Sequence, residues 1–340
     1  VNPYPVWPAP TRDHIDFGER FVNAGKVVVQ AESLTGDDLE ALVGASDVVF
    51  EAAGRLESMG IDRARLEALN ADLVRVTVSP LGEDEPQDGP VDDLLVLAAG
   101  GLMHLGGYRD LGPIGAWGGQ SAMAASIFGA VAALVGLVST ESSFDVSAQE
   151  SIAQALEDSV AEFALVGTVR DRRGELPREA GTGTFQCSDG YVSMVAGRLG
   201  TSRAWSALVT WLTEAGTPGA EVLREGLWSD FHYRKTPAAI DAFTRIFEAF
   251  AATRSKEALY RDAQEREIAL SPVNDIAAIL ADRQLRERGF FVEVADEDLG
   301  RVVFPGPPYR LSATPARAPR GARAGGGDAV AGFVRGEADG

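Results

Sequence analysis

The chain has 340 residues, 45% of them hydrophobic, enough to bury a large core as one big domain or two unequal ones. A formal net charge of −19 argues against nucleic acid or an anionic membrane as a partner, because both reward a basic face. One cysteine, Cys187, excludes an intramolecular disulfide and fits a reducing, cytoplasmic compartment; with only three histidines, too few clustered ligands remain for a zinc site. Residues 1–22, rich in Pro and aromatics, are expected as an extended arm. Short Val-rich strands at 26–30, 47–52 and 73–79 then alternate with helices at 34–43 and 61–69, the pattern of parallel βαβ units in a doubly wound α/β sheet. Ligands of such sheets sit beyond the carboxyl ends of the strands, here the loops after Gln30, Ala52 and Ser79. Residues 121–138 are apolar but fall short of a membrane span, and read as a buried helix.

The stretch from Glu141 to Gly167 follows. Residues 143–146 are β-prone, and Ile152, Ala155, Leu156, Val160, Phe163 and Ala164 recur at helical spacing, which predicts one helix with one buried stripe. Ser147 is its predicted N-cap, and Glu150 stands where a capping box places its acid. Residues 170–180 form a charged loop. Gly181-Thr-Gly183 leads into a hairpin that ends in a strand at 191–195; the preceding strand and third glycine of a dinucleotide fingerprint are absent. Helices at 204–215, 237–250 and 255–264, anchored by Trp205, Trp211, Phe243, Phe247 and Phe250, make a smaller helical domain. Cys187, with no His or base near it in sequence, reads as a core or strand residue. The expected division is a Rossmann-like large domain at 1–170, a small α+β domain with linkers at 171–295, and a segment at 296–340 that returns to the large domain and ends in a loose tail.

The run Asp145-Val-Ser147-x-x-Glu150 at a strand-to-helix junction resembles the active-site segment of the family III CoA-transferases, the CaiB/BaiF group that contains formyl-CoA, carnitine and bile-acid CoA-transferases and the α-methylacyl-CoA racemases. Asn23-Ala-Gly-Lys26 before a Val strand and Ser79-Pro-Leu-Gly82 resemble two further family segments. Ser271-Pro-Val-Asn-Asp275, Arg288-Gly-Phe-Phe-Val-Glu293 and the run from Pro305 to Pro315 match the family almost letter for letter. The resemblance covers about residues 22 to 317. It implies the interlocked-dimer CoA-transferase III fold and transfer of CoA from an acyl-CoA to a carboxylic acid. CoA then enters as substrate, with no tightly bound cofactor and no metal, and the partner is a second copy or a related chain.

In the transferases the acid at position 150 is a nucleophilic aspartate. A buried carboxylate of this kind attacks the thioester, forms a mixed anhydride, releases CoA thiolate and is recaptured as an enzyme-bound thioester. The resemblance therefore assigns the chemistry to Glu150. Asp145 matches the racemase aspartate, with a turn or strand-end carboxylate as the plain alternative, and Lys26, Arg55, Ser79, Gly82 and Gly119 face CoA. A racemase also needs a His opposite its Asp, and Asp92 stands there, with His104 twelve residues on. Several positions depart from the family. Glu replaces Asp at 150, Leu34 and Ser58 stand where Lys and Arg are common, Gly119 occupies a place that is often Asp, and the segment that precedes Asn23 in the family has no counterpart. A fragment, or a sheet completed by another chain, is one expectation from this. The alternative function is a catalytically degenerate member that serves as the structural or regulatory subunit of a hetero-oligomer.

Overall fold

Residues 17–84, 92–172, 174, 177–197, 202–296, 300–315 and 323–336 are described by a computed structural model. The predicted arm at 1–16 and the last four residues lie outside this set; residues 17–22 of the arm form a helix, Phe17–Val22. The described residues contain ten strands: β1 (Val27–Val29), β2 (Val48–Ala52), β3 (Val74–Ser79), β4 (Ser143–Ser147), β5 (Thr182–Cys187), β6 (Gly190–Val195), β7 (Ala269–Pro272), β8 (Phe291–Asp296), β9 (Gly300–Pro305) and β10 (Arg323–Gly325). The chain divides into two units, one built from Val1–Gly106, Pro113–Asp171 and Arg283–Gly340, the other from Gly107–Gly112 and Arg172–Asp282.

The first unit is organised on β2, β3 and β4, all parallel in the order β2-β3-β4. Helix α1 (Gly36–Gly44), capped by a full Thr35–Asp38 box, precedes β2; α2 (Arg63–Leu69), capped by Asp62, lies between β2 and β3, and α3 (Asp93–Ala99) and α4 (Gln120–Val138) lie between β3 and β4. The register aligns Phe50, Val76 and Phe144 on one face and Glu51, Thr77 and Asp145 on the other, since side chains alternate along a strand. The first face is apolar and lies under α4. The second is polar, and its outermost ring runs from Ser79 to Ser147. Two helices continue from β4, α5 (Ala148–Gln154) and α6 (Glu157–Val166).

Several expectations need correction here. Helix α4 is not buried: only 28% of its most apolar window is covered, and by length and composition alone it is long and apolar enough to cross a membrane. Its inward stripe is Ser121, Ala125, Gly129, Ala133 and Gly136, and its large residues point outward. Small residues let the helix backbone approach the sheet closely, and a Cβ on Gly136 would stand 2.5 Å from Val74 Cγ1. The single helix predicted from residue 148 breaks at Ala155-Leu156, where the backbone tightens to three-residue hydrogen bonds, and Val160 and Phe163 beyond the break are exposed rather than buried. Strand β1 exists but is largely exposed, and it pairs in parallel with β10 in a separate two-stranded sheet. The predicted loose tail is therefore partly ordered: β10 and a helix at Gly327–Val334 follow, with Gly325 needed because a Cβ there would meet Val27 at 2.5 Å. Strands β8 and β9 form an antiparallel hairpin.

The second unit is an antiparallel sheet in the order β5-β6-β7 with helices α7 (Ser202–Glu214), α8 (Pro237–Ala251) and α9 (Lys256–Glu265). The hairpin and all three helices lie where the sequence places them. Phe185 of β5 meets Phe243 and Phe247 of α8 edge-on at 5.7 and 4.9 Å, and Trp211 of α7 meets Phe250 at 4.8 Å. Cys187 is a buried strand residue, and burial pushes its thiol pKa up.

Candidate active site

The junction from β4 to α5 forms because a β-branched, aromatic-containing run meets a serine that can end it. Ser147 closes β4 in register with Ser79 and also caps α5, its Oγ accepting the Glu150 N–H at 3.2 Å. The reciprocal half of a capping box is not made. Among the described residues the Glu150 carboxylate has no hydrogen bond or ion pair, and the residue is exposed. This corrects two expectations, the acid reaching back to its cap and the buried carboxylate. The cap position is a strand residue held in the ladder, so the carboxylate is left on the outer side of the first helical turn.

The loop after β3 is fixed against this junction from both ends. Ser79 Oγ accepts the Gly82 N–H at 2.9 Å, and the Gln149 N–H donates to the Pro80 carbonyl at 2.9 Å. Asp145 Oδ2 accepts the Glu83 N–H at 3.0 Å, and a Cβ on Gly82, where φ is +113°, would lie 3.8 Å from the same oxygen. Ser79, Gly82 and Asp145 therefore converge on one corner at the carboxyl ends of β3 and β4, and Glu150 stands on the first turn of the helix that leaves β4. Asp145 is a strand carboxylate that fastens a loop.

Lys26, Arg55 and Gly119 are not drawn into that corner by any hydrogen bond, ion pair or shared cleft among the described residues. Lys26 precedes β1 and its side chain is exposed. Arg55 opens a short exposed helix after β2. Gly119 is the left-handed N-cap of α4, with φ of +67°, and the carboxylate at that helix end comes instead from Asp93, whose Oδ1 accepts both the N–H and the hydroxyl of Ser121 at 2.7 Å. Asp92 caps α3 through the Leu95 N–H, and His104 Nε2 lies 3.2 Å from the Arg170 carbonyl; neither is placed as an opposing base to Asp145.

A network that sequence reasoning missed stands beside the corner. Arg75 of β3 donates through Nε to Glu51 of β2 and through Nη2 to Glu83 at 2.6 Å, while Glu51 Oε2 accepts the Leu56 N–H at 3.0 Å. Burial pulls the Arg75 pKa down, and its bonds to the two carboxylates more than reverse this, leaving it raised. The available signal was a charged residue alternating with valines in Val74–Val78, which requires a partner on the same sheet face. The network borders an open cleft of about 600 Å³ lined by Glu51, Glu57, Asp62, Glu83, Arg63 and Arg75 among others; Glu150 and Arg55 do not line it. Four carboxylates against two guanidiniums are a poor match for the phosphates of CoA. Among the described residues no group of three or more His, Cys, Asp or Glu is placed to hold a metal.

The sequence matches the profile of CoA-transferase family III over residues 22–328. It is 31% identical over 304 residues to the succinyl-CoA:(R)-benzylsuccinate CoA-transferase subunit BbsE of Thauera aromatica, which covers 86% of this chain and 73% of that protein. It is 28% identical over 295 residues to the succinyl-CoA–L-malate CoA-transferase alpha subunit of Chloroflexus aurantiacus, covering 81% of this chain and 65% of that one. The fold resembles that of a CaiB/BaiF family protein from Brucella suis, with a TM-score of 0.76 at 21% identity over 93% of this chain and 82% of the other.

Proposed function

The chain belongs to CoA-transferase family III, and from that premise we propose that it moves CoA from an acyl-CoA donor to a carboxylic acid through Glu150, working as one subunit beside a related chain. The observation that carries this reading is the unbonded Glu150 carboxylate on the first turn of α5, beyond the carboxyl end of β4 and next to the loop fixed by Ser79 and Asp145. A carboxylate without a competing partner is free to act as nucleophile. Its attack on the thioester carbonyl expels CoA thiolate and leaves an acyl-glutamyl anhydride; the thiolate then attacks the glutamyl carbonyl, releases the acyl carboxylate and leaves a glutamyl-CoA thioester. The acceptor acid repeats these steps in reverse. Backbone N–H groups are the donors that would stabilise the oxyanion. CoA is a substrate here and not a resident cofactor. Two relatives named as the alpha and beta subunits of one malate enzyme, and a third named as a subunit, support a two-chain assembly and make succinyl-CoA the donor to try first.

A second reading is favoured by the acid-lined cleft and the exposure of Glu150: a member that keeps the scaffold and supports catalysis by its companion. One experiment separates the two. Incubation with succinyl-CoA should yield a glutamyl-CoA adduct at residue 150, captured by hydroxylamine and located by mass spectrometry, and Glu150→Gln should abolish it. Turnover unchanged in Glu150→Gln would refute the nucleophile assignment and leave the scaffold reading.

A further inference from the structure

We propose that Glu83 closes the cleft beyond β2 and β3 to phosphate, by occupying the anion position on Arg75. The inference goes beyond the nucleophile reading, since Glu150 does not line this cleft, and it assigns Glu83 as the residue that keeps phosphate, such as that of the nucleotide end of CoA, off Arg75. A guanidinium binds a planar or tetrahedral anion through its N–H donors. In Arg75 the Nε donor is committed to Glu51, whose side chain is 4% exposed and also takes the Leu56 N–H. That side-chain pair bridges the neighbouring strands β2 and β3. The outward Nη2 goes to Glu83, whose side chain is 38% exposed, so the anion a ligand would bring is already supplied by the chain.

Glu83 is held there by its backbone as well as by its charge, because its N–H is anchored on Asp145 at 3.0 Å. A carboxylate tethered over so short a span competes at an effective concentration in the millimolar range, which a free phosphate must exceed. The surroundings add to the barrier. Glu57 and Asp62 line the same cleft, Asp62 spends one oxygen on the Arg65 N–H, and Arg63 is itself paired with Glu67 at 3.4 Å. A polyphosphate entering the cleft meets excess negative charge, and each of the two guanidiniums that line it already has a carboxylate partner.

The test is calorimetric titration of the full chain with inorganic pyrophosphate at low ionic strength. Glu83→Gln keeps the shape and a carbonyl acceptor but removes the competing charge, and it is expected to bind pyrophosphate at least tenfold more tightly than the wild type, about 1.4 kcal/mol. Adding Arg75→Gln should return the affinity to the wild-type level or below. Equal affinities for wild type and Glu83→Gln, or a gain that survives loss of Arg75, overturn the proposal. Thermal unfolding of each variant checks folding, and Glu83→Ser serves as the second charge-removing variant. The outcome is separable from the nucleophile test. A missing pyrophosphate gain beside an intact glutamyl-CoA adduct sinks only the closure by Glu83, and a gain without any adduct sinks only the chemistry at Glu150.

Discussion

Helices α8 and α4 bury opposite kinds of side chain. On α8 the inward residues are Phe243, Phe247 and Phe250, at most 2% exposed, and each ring meets another aromatic ring of the same unit. On α4 the inward residues are small, while Ile127, Leu134 and Val138 remain 65%, 64% and 86% exposed. The 172–282 unit thus closes its core with its own large side chains. In the other unit the α4–sheet contact depends on close approach, and the large apolar surface of α4 is left uncovered by the described residues. The two helices therefore respond to substitution by different rules, removal of volume for α8 and addition of volume for α4.

The largest effect is expected at Phe243, which is fully buried and lies within 6 Å of the rings of Phe185, Trp205 and Phe247. Phe243→Ala leaves a cavity and should cost about 3–5 kcal/mol, read from urea unfolding followed by fluorescence of the buried Trp205, Trp211 and Trp228. On α4 the damaging change is the reverse one. Gly136→Val would drive a Cβ to 2.5 Å from Val74 and 3.0 Å from Phe144, so a cost of about 1–3 kcal/mol is expected from overpacking. Two residues away and on the outer side, Leu134→Ser should change the stability of the isolated chain by no more than about 0.5 kcal/mol. A loss at Leu134 as large as that at Phe243 would show the outer face of α4 to be covered, and the contrast would disappear.

The sequence carried some of this and not the rest. The aromatic stripe of α8 was legible because Phe243, Phe247 and Phe250 recur on one side of a helix whose other side is polar, so only one orientation buries them. Helix α4 lacks that asymmetry: it has no charged residue and is apolar all round, so periodicity says that it is a helix but not which side meets the sheet. Its glycines and alanines counted as filler in the pattern, yet they are the contact. At the candidate site, the Asp-Val-Ser-x-x-Glu spacing was enough to place Ser147 as the cap and Glu150 on the first turn. It could not supply the exposure of Glu150, which depends on what stands over the junction. Nor could it supply the pairing of Arg75 with Glu51 and Glu83, residues 24 and 8 positions away, the first brought to it by the β2–β3 register and the second by the loop that folds back after β3. The β1–β10 ladder was equally out of reach, since a three-residue strand encodes no partner across nearly the whole chain.

The smallest expected effect concerns α6, which continues the contrast in another currency. Val160, Phe163, Leu165 and Val166 on this helix are all exposed, so apolar burial does little to hold it. Arg170, just beyond its end, instead reaches back to Asp158 at 2.7 Å and to Glu162. The hydrogen bond from Arg170 holds the Asp158 pKa below the ordinary carboxylate value, and the same two acids raise that of Arg170. A carboxylate whose folded pKa is depressed contributes its stability above the unfolded value, about pH 4, and loses it as the pH falls through the lower folded value. Amide protection in α6, corrected for intrinsic exchange, should therefore decline below about pH 4, while that of α8, fastened by aromatic packing, stays level until global unfolding. Arg170→Gln should lower the protection of α6 at neutral pH and flatten its acid dependence. The effect is small because the pair is open to solvent, where ion pairs contribute little and salt screens them. If α8 lost protection over the same interval as α6, the acid response would belong to the whole chain rather than to this one charged tether.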